Sequence, residues 1–284
     1  MTFRFFAATL LILLLISGNA LADLVIDSKT EIEVIGMGKM TIEGSQSFRG
    51  DKSYTKMLNS GMMGMSQESV EIVRLDKGVQ WVLFPDQEKY AEISFATVKE
   101  MSAAMDTAEA QSGGYTWTTT FEELDETEMI AGAKCRAVHG RALGIKTDDP
   151  SDTAIIEFKQ YIADDFKGAG ELEAFRESYM ESTGLNDQLF SQLKGNPMMA
   201  QYGQPMQELS EKMKAQKGTP LKTRFSIETS KNPMGTSMGN TQGISVLMSI
   251  ENTITAIEQK AVADTLFQIP EGYEKTDISQ MMGP

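Results

Sequence analysis

The chain has 284 residues, of which 40 are Asp or Glu and 26 are Lys or Arg, so its formal net charge is −14 at pH 7. An acidic balance of this size argues against nucleic acid or an anionic membrane surface as the main partner. The single cysteine, Cys135, excludes an intramolecular disulfide, so the fold depends on an ordinary hydrophobic core.

The first 22 residues have the pattern of a secretory signal peptide. Arg4 precedes an apolar run too short to anchor the mature protein, and Ala20-Leu21-Ala22 forms a cleavage site of the Ala-x-Ala type. We expect cleavage after Ala22 and a mature chain of residues 23–284. No cysteine stands behind the apolar run to carry a lipid, and no second run of spanning length follows. The sequence therefore predicts an exported, periplasmic protein without a transmembrane anchor.

Two-residue alternation of apolar and polar side chains predicts strands over most of the first half of the chain. In residues 23–34, most even positions are apolar and most charged residues are at odd positions, as in a strand with one face in water. Gly36-Met37-Gly38 predicts a hairpin, after which the alternation continues. The stretches KSYTKML, ESVEIVRLD, GVQWVLFP and KYAEISF predict further strands of an antiparallel meander.

Two segments have helical rather than strand patterns. Residues 97–110 are rich in Ala, Met and Glu, which favours a short helix. Residues 168–218 place apolar side chains at helical spacing, with glycines as stop signals. Because strands precede and follow this segment, the predicted fold class is α+β with a large antiparallel sheet. We expect a single domain over residues 23–284 with a helical insertion at about 168–218.

Motifs of known catalytic chemistry are absent from the sequence. No nucleophile elbow, phosphate loop or zinc-protease motif occurs, and the GMGK stretch at 36–39 is typical of a hairpin. His139 is the one histidine, which excludes a histidine-based metal cluster. The many adjacent acidic pairs lack the separation that two glycosidase carboxylates need across a cleft. We therefore predict no enzyme activity, no catalytic residues and no cofactor.

Methionine is abundant, with 20 in the chain, and several cluster together. The clusters are Met62-Met63-Gly64-Met65, Met198-Met199, Met234 with Met238, and Met281-Met282. Three interpretations stay open: adaptable apolar surface or core, flexible loops without function, and thioether ligands for Cu(I).

Four stretches resemble a known family: GVQWVLFPDQEKYAEI (78–93), AGAKCRAVHG (131–140), GTPLKTRFSIETS (218–230) and DTLFQIPEGYEK (264–275). They are similar to an exported bacterial family known as a domain of unknown function, which itself resembles the Lol-type (LolA/LolB-like) periplasmic lipoprotein carriers. The resemblance implies an incomplete β-barrel whose concave, apolar face is covered by helices, and an acyl chain, lipid or lipoprotein as ligand. It implies no catalytic residues.

A sheet with one apolar face and a helical cover favours an apolar ligand in the space between them. The residues expected to line this space follow from strand alternation alone: Ile42, Phe48, Trp81, Leu83, Trp117, Phe121, Phe225, Ile227, Val246 and Met248. The predicted function is a non-enzymatic binding protein or carrier. The alternatives are an envelope structural or interaction module that contacts another protein, and a methionine-based Cu(I) carrier.

Overall fold

The computed structural model describes residues 23–36, 38–60, 66–106, 114–184, 202–231 and 244–277. The predicted signal peptide and all four methionine clusters lie outside these ranges. The three interpretations of the methionines therefore remain as predictions.

Twelve strands lie in the described part of the chain. Their bounds are β1 Asp23–Val34, β2 Gly38–Arg49, β3 Lys52–Ser60, β4 Ser66–Arg74, β5 Val79–Phe84, β6 Lys89–Ser94, β7 Tyr115–Ile130, β8 Ala133–Lys146, β9 Thr153–Ala163, β10 Thr219–Thr229, β11 Ser245–Lys260 and β12 Glu274–Lys275. All of them belong to one sheet with the order β12-β6-β5-β4-β3-β2-β1-β11-β10-β9-β8-β7.

The sheet is open, because its two edge strands, β12 and β7, are not paired with each other. Every pair in it is antiparallel except β12 with β6, which is a short parallel pair. Together with the helices this confirms the predicted α+β class with an unclosed sheet. The parallel pair lies at one edge of the described sheet.

Three α-helices lie in the described residues: α1 Phe95–Asp106, α2 Ala169–Thr183 and α3 Gly203–Lys214. The first begins two residues before the predicted start at 97. α2 ends where Gly184 adopts a left-handed conformation, with φ at 70°, and donates its N–H to the carbonyl oxygen of Met180 over 2.8 Å. This is the helix end for which glycine is best suited, since it has no Cβ to clash.

Cross-strand pairing sorts the side chains of the sheet onto two faces. Phe158 is opposite Phe225, which is opposite Ile250, which in turn is opposite Ile32, so the four side chains share one face. α3 packs on this side through Leu209, whose side chain lies where a Cβ on Gly140 would be. We call this the helix face, and the opposite side of the sheet the outer face.

The helices cover the two ends of the helix face. At one end, Leu172 and Phe175 of α2 pack on Leu24 and Phe48, and the rings of Phe48 and Phe175 meet edge to face at 5.2 Å. At the other end, α3 packs on strands β7 to β9. Its buried side chains Tyr202 (at the N-cap), Met206, Leu209 and Met213 complete a core with those strands.

Candidate ligand-binding site

Between the two helix-covered ends, the helix face carries a row of half-buried apolar side chains. We call this row the central strip, and it consists of Ile32, Met40, Ile42, Met57 and Ile250. Pairing places them side by side: Ile32 is opposite both Met40 and Ile250 in the neighbouring strands. These side chains keep accessible surface, whereas the residues under α2 and α3 are almost fully buried.

Polar side chains adjoin the central strip on its β3–β5 side. They are Gln46, Thr55, Glu71, Gln80 and Tyr179, all half-buried, and we call them the Glu71 corner. Gln46 is opposite Thr55, which is opposite Glu71, so the three lie in one cross-strand row on the helix face.

Two hydrogen bonds order the Glu71 corner. The Tyr179 hydroxyl of α2 donates to Gln80 Oε1 at 3.0 Å, and Gln46 Nε2 donates to Thr55 Oγ1 at 3.1 Å. Among the described residues, Glu71 has neither a hydrogen-bond partner nor an ion-pair partner. Burial raises its pKa from 4.5 to about 7, and burial together with the Glu71 charge raises the pKa of Tyr179.

Arg176 lies one turn before Tyr179 on α2. Its side chain is exposed to solvent, and desolvation by surrounding protein lowers the pKa of its guanidinium. Desolvation likewise raises the pKa of the half-buried Glu71.

Seven of the ten predicted lining residues lie on the helix face and are buried or half-buried. Ile42 belongs to the central strip, and Phe48 is buried at the α2 end. Trp117, Phe121, Phe225, Ile227 and Met248 belong to the core that α3 covers. Alternation therefore brings most of the set to one face, but six of the seven belong to the two cores that the helices complete.

Val246 departs from its predicted position because of a β-bulge. Along β10 the register passes from Ile227 opposite Met248 to Glu228 opposite Val246, which leaves Leu247 without a partner in this pair. Leu247 is buried and Val246 is 45% exposed. A bulge shifts the alternation by one residue, and a two-residue pattern in sequence gives no sign of it.

Trp81 and Leu83 lie on the outer face, which corrects the expectation that they share the helix face. They pack with Val70 and Ile72 beneath Ile269 and Tyr273 of the C-terminal segment. Alternation predicts which residues of a strand share a face but not which face it is. The apolar residues of LFQIPEGY, near the C-terminus, were the signal that could have placed them. Such a segment packs on an apolar surface, and that surface is the outer face around Trp81 and Leu83.

A groove of about 370 Å³ on the outer face is of a different kind. Its lining includes His139, Lys39, Lys159 and Arg224 together with several glutamates. Many of these charges already have partners, as in the pair of Arg224 with Glu251 at 2.5 Å. A groove of paired charges does not suit an apolar ligand.

The described residues contain no group of three or more His, Cys, Asp or Glu side chains that could hold a metal ion. None of the helices among them is long and apolar enough to cross a membrane. Cys135 is fully buried, and burial raises the pKa of its thiol.

No family model and no curated protein matches this chain. Solved structures similar to it include a LolA superfamily protein from Nitrosomonas europaea, with 9% identity and a TM-score of 0.28 over 88% of this chain and 91% of that one. A second is a domain from Vibrio parahaemolyticus whose name assigns it provisionally to outer membrane lipoprotein sorting. It has 8% identity and a TM-score of 0.27 over 87% of this chain and 89% of that one. At these values, neither similarity assigns a ligand or a role to any residue of this chain.

Proposed function

We propose that this chain is an exported, non-enzymatic binding protein or carrier that holds an apolar ligand, an acyl chain or lipid, on the central strip. The observation that supports this is a half-buried apolar row on the same face as the helices, between two ends that the helices do cover. Contiguous apolar surface that stays partly exposed often marks a ligand-binding site.

The free energy available from such a strip suffices for useful affinity. Each buried methylene of an acyl chain contributes about 0.8 kcal/mol, so ten of them contribute about 8 kcal/mol before the cost of ordering the chain. The carrier binds and releases its ligand without chemistry. Periplasmic location follows from the predicted signal peptide.

The experiment is a titration with N-phenyl-1-naphthylamine, an uncharged apolar probe whose emission rises in apolar surroundings. We expect saturable binding by the mature protein and a loss of at least tenfold in affinity for Ile42→Asp, because a carboxylate in the central strip would be desolvated by the probe. The matched control is Leu58→Asp on β3, a nearby apolar residue that is 38% exposed on the outer face, opposite Glu43 of β2.

Both variants must unfold in urea at concentrations close to that of the wild type for the comparison to hold. Equal probe affinity in the wild type, Ile42→Asp and Leu58→Asp would overturn the assignment of the site to the central strip. Absence of saturable binding in the wild type would overturn the proposed function.

A further inference from the structure

The Glu71 corner contains a carboxyl group that the fold itself does not use. Glu71 is on β4, between Thr55 of β3 and Val82 of β5, so neither cross-strand neighbour is charged. Its hydrogen-bonding capacity is unfilled among the described residues, although an unpaired carboxylate in a desolvated position destabilises a protein.

Within the described ranges, no basic side chain interacts with Glu71. Burial is the one cause of its pKa shift, and the group of α2 that interacts with it electrostatically is Tyr179. Arg176, on the same helix, interacts with Glu173 instead. The described part of the chain therefore supplies no counter-charge at this position.

The Glu71 corner can accept hydrogen bonds from a donor group of a ligand. Tyr179 donates its proton to Gln80, so its oxygen remains an acceptor, and the Glu71 carboxylate adds two acceptor oxygens. The ring of Tyr179 is stacked parallel to Phe175, at 6.4 Å and 8°, and meets Phe95 edge to face at 5.8 Å. A carboxylate beside an aromatic cluster is a typical recognition site for an organic cation.

We propose that the Glu71 corner binds the amine of a cationic amphipathic ligand whose apolar chain lies along the central strip. This inference rests on the proposed function, because the apolar chain of the ligand would lie on the same central strip. An ammonium group brings three donors and a positive charge to the carboxylate of the Glu71 corner, and the net charge of −14 favours its approach. The adjacent central strip then buries the chain of the same molecule.

Three probes with the same ten-carbon chain separate the contributions: decylammonium, decanol and decanoate, titrated calorimetrically below their micellar concentrations. We expect decylammonium to bind at least tenfold tighter than decanol at pH 8, and decanoate to bind weakest. Glu71→Gln should reduce the affinity for decylammonium to that for decanol and leave decanol unchanged. Glu43→Gln, which removes an exposed carboxylate from the outer face, should change neither.

The pH dependence adds an independent readout. Because the carboxyl must be ionised to pair with an ammonium, the affinity for decylammonium should fall about tenfold between pH 8 and pH 6, while that for decanol stays constant. If the three probes bind equally and Glu71→Gln has no effect, the inference is overturned and the apolar site stands. If none of the three binds, both the inference and the proposed function are overturned.

Discussion

Tryptophan is the residue that best reports on the two faces of the sheet. The chain has two, and they lie on opposite faces: Trp81 is buried on the outer face and Trp117 is half-buried on the helix face. The Trp81 indole N–H donates to Glu92 Oε2 at 2.9 Å, and Lys77 lies over its ring at 5.2 Å. Trp117 packs against Tyr115 and Tyr202 instead.

We predict that Trp81→Phe leaves ligand binding intact and costs about 1–2 kcal/mol of unfolding free energy, because it removes one hydrogen bond and part of a packed ring. Titration with N-phenyl-1-naphthylamine measures the binding, and the affinity should equal that of the wild type. A loss of tenfold or more in the affinity of Trp81→Phe would place the ligand on the outer face.

Glu71 gives a second prediction, on stability against pH. A carboxyl whose pKa is raised to about 7 holds its proton more tightly in the folded than in the unfolded chain. The folded state therefore loses stability as the pH rises from about 4.5 to about 7, and the loss is constant above that.

We expect Glu71→Gln to match the wild type in unfolding free energy at pH 4.5. At pH 8 the variant should be more stable by about 1–3 kcal/mol, because an amide never ionises in this desolvated position. Urea unfolding at the two pH values measures this difference, with Glu43→Gln as the exposed control. Equal destabilisation of Glu71→Gln at both pH values would mean that the carboxyl makes a structural contact that the amide breaks.

Among the elements, α3 is the one whose packing decides how much of the helix face is left for a ligand. Leu209 is fully buried against the sheet, and Gly140 leaves the space for it, since a Cβ there would be 2.8 Å from Leu209 Cδ2. Glycines at 140 and 144 thus let α3 and Trp117 approach the sheet closely.

We predict that Leu209→Ala costs about 2–5 kcal/mol, the range for a buried leucine whose cavity does not collapse. Met180→Ala on α2 is the control, because Met180 is 40% exposed and should cost less than about 0.5 kcal/mol. Urea unfolding measures both. A loss in Leu209→Ala as small as that of the control would mean that α3 does not pack on the sheet.

The sequence predicts the strands and helices well where the spacing of apolar residues is regular. It predicts poorly which strands pair when they are far apart in the chain. Strand alternation places β1 to β6 in chain order, because consecutive antiparallel strands pair through short turns. It could not predict that β1 pairs with β11, more than 200 residues away, or that β12 adds to β6. Long-range pairings of this kind leave no local signal.

The candidate site is harder to predict from the sequence than the fold is. Alternation identifies Ile42 as part of an apolar face. The bulge at Leu247 and the outer-face position of Trp81 can be recognised only once the strand pairing is known. The sequence pattern does not identify Glu71 as a site residue either, for another reason. In ESVEIVRLD its position is typical of a solvent-exposed strand residue, and its desolvation arises only in the folded chain.

At the scale of the whole molecule, the open sheet and its incomplete cover are the features that matter. The apolar side chains on the helix face of the sheet must be covered, and in the described residues α2 and α3 cover its two ends. The central strip between them is the surface on which the proposed function depends.

Native mass spectrometry of the protein purified from the cells that produce it tests the central claim most directly. The proposed function predicts a bound mass in the range of a lipid, released by organic extraction and reduced in abundance in Ile42→Asp but not in Leu58→Asp. A protein that carries no bound mass in any preparation, or one whose bound mass is the same in Ile42→Asp as in the wild type, would contradict a ligand on the central strip.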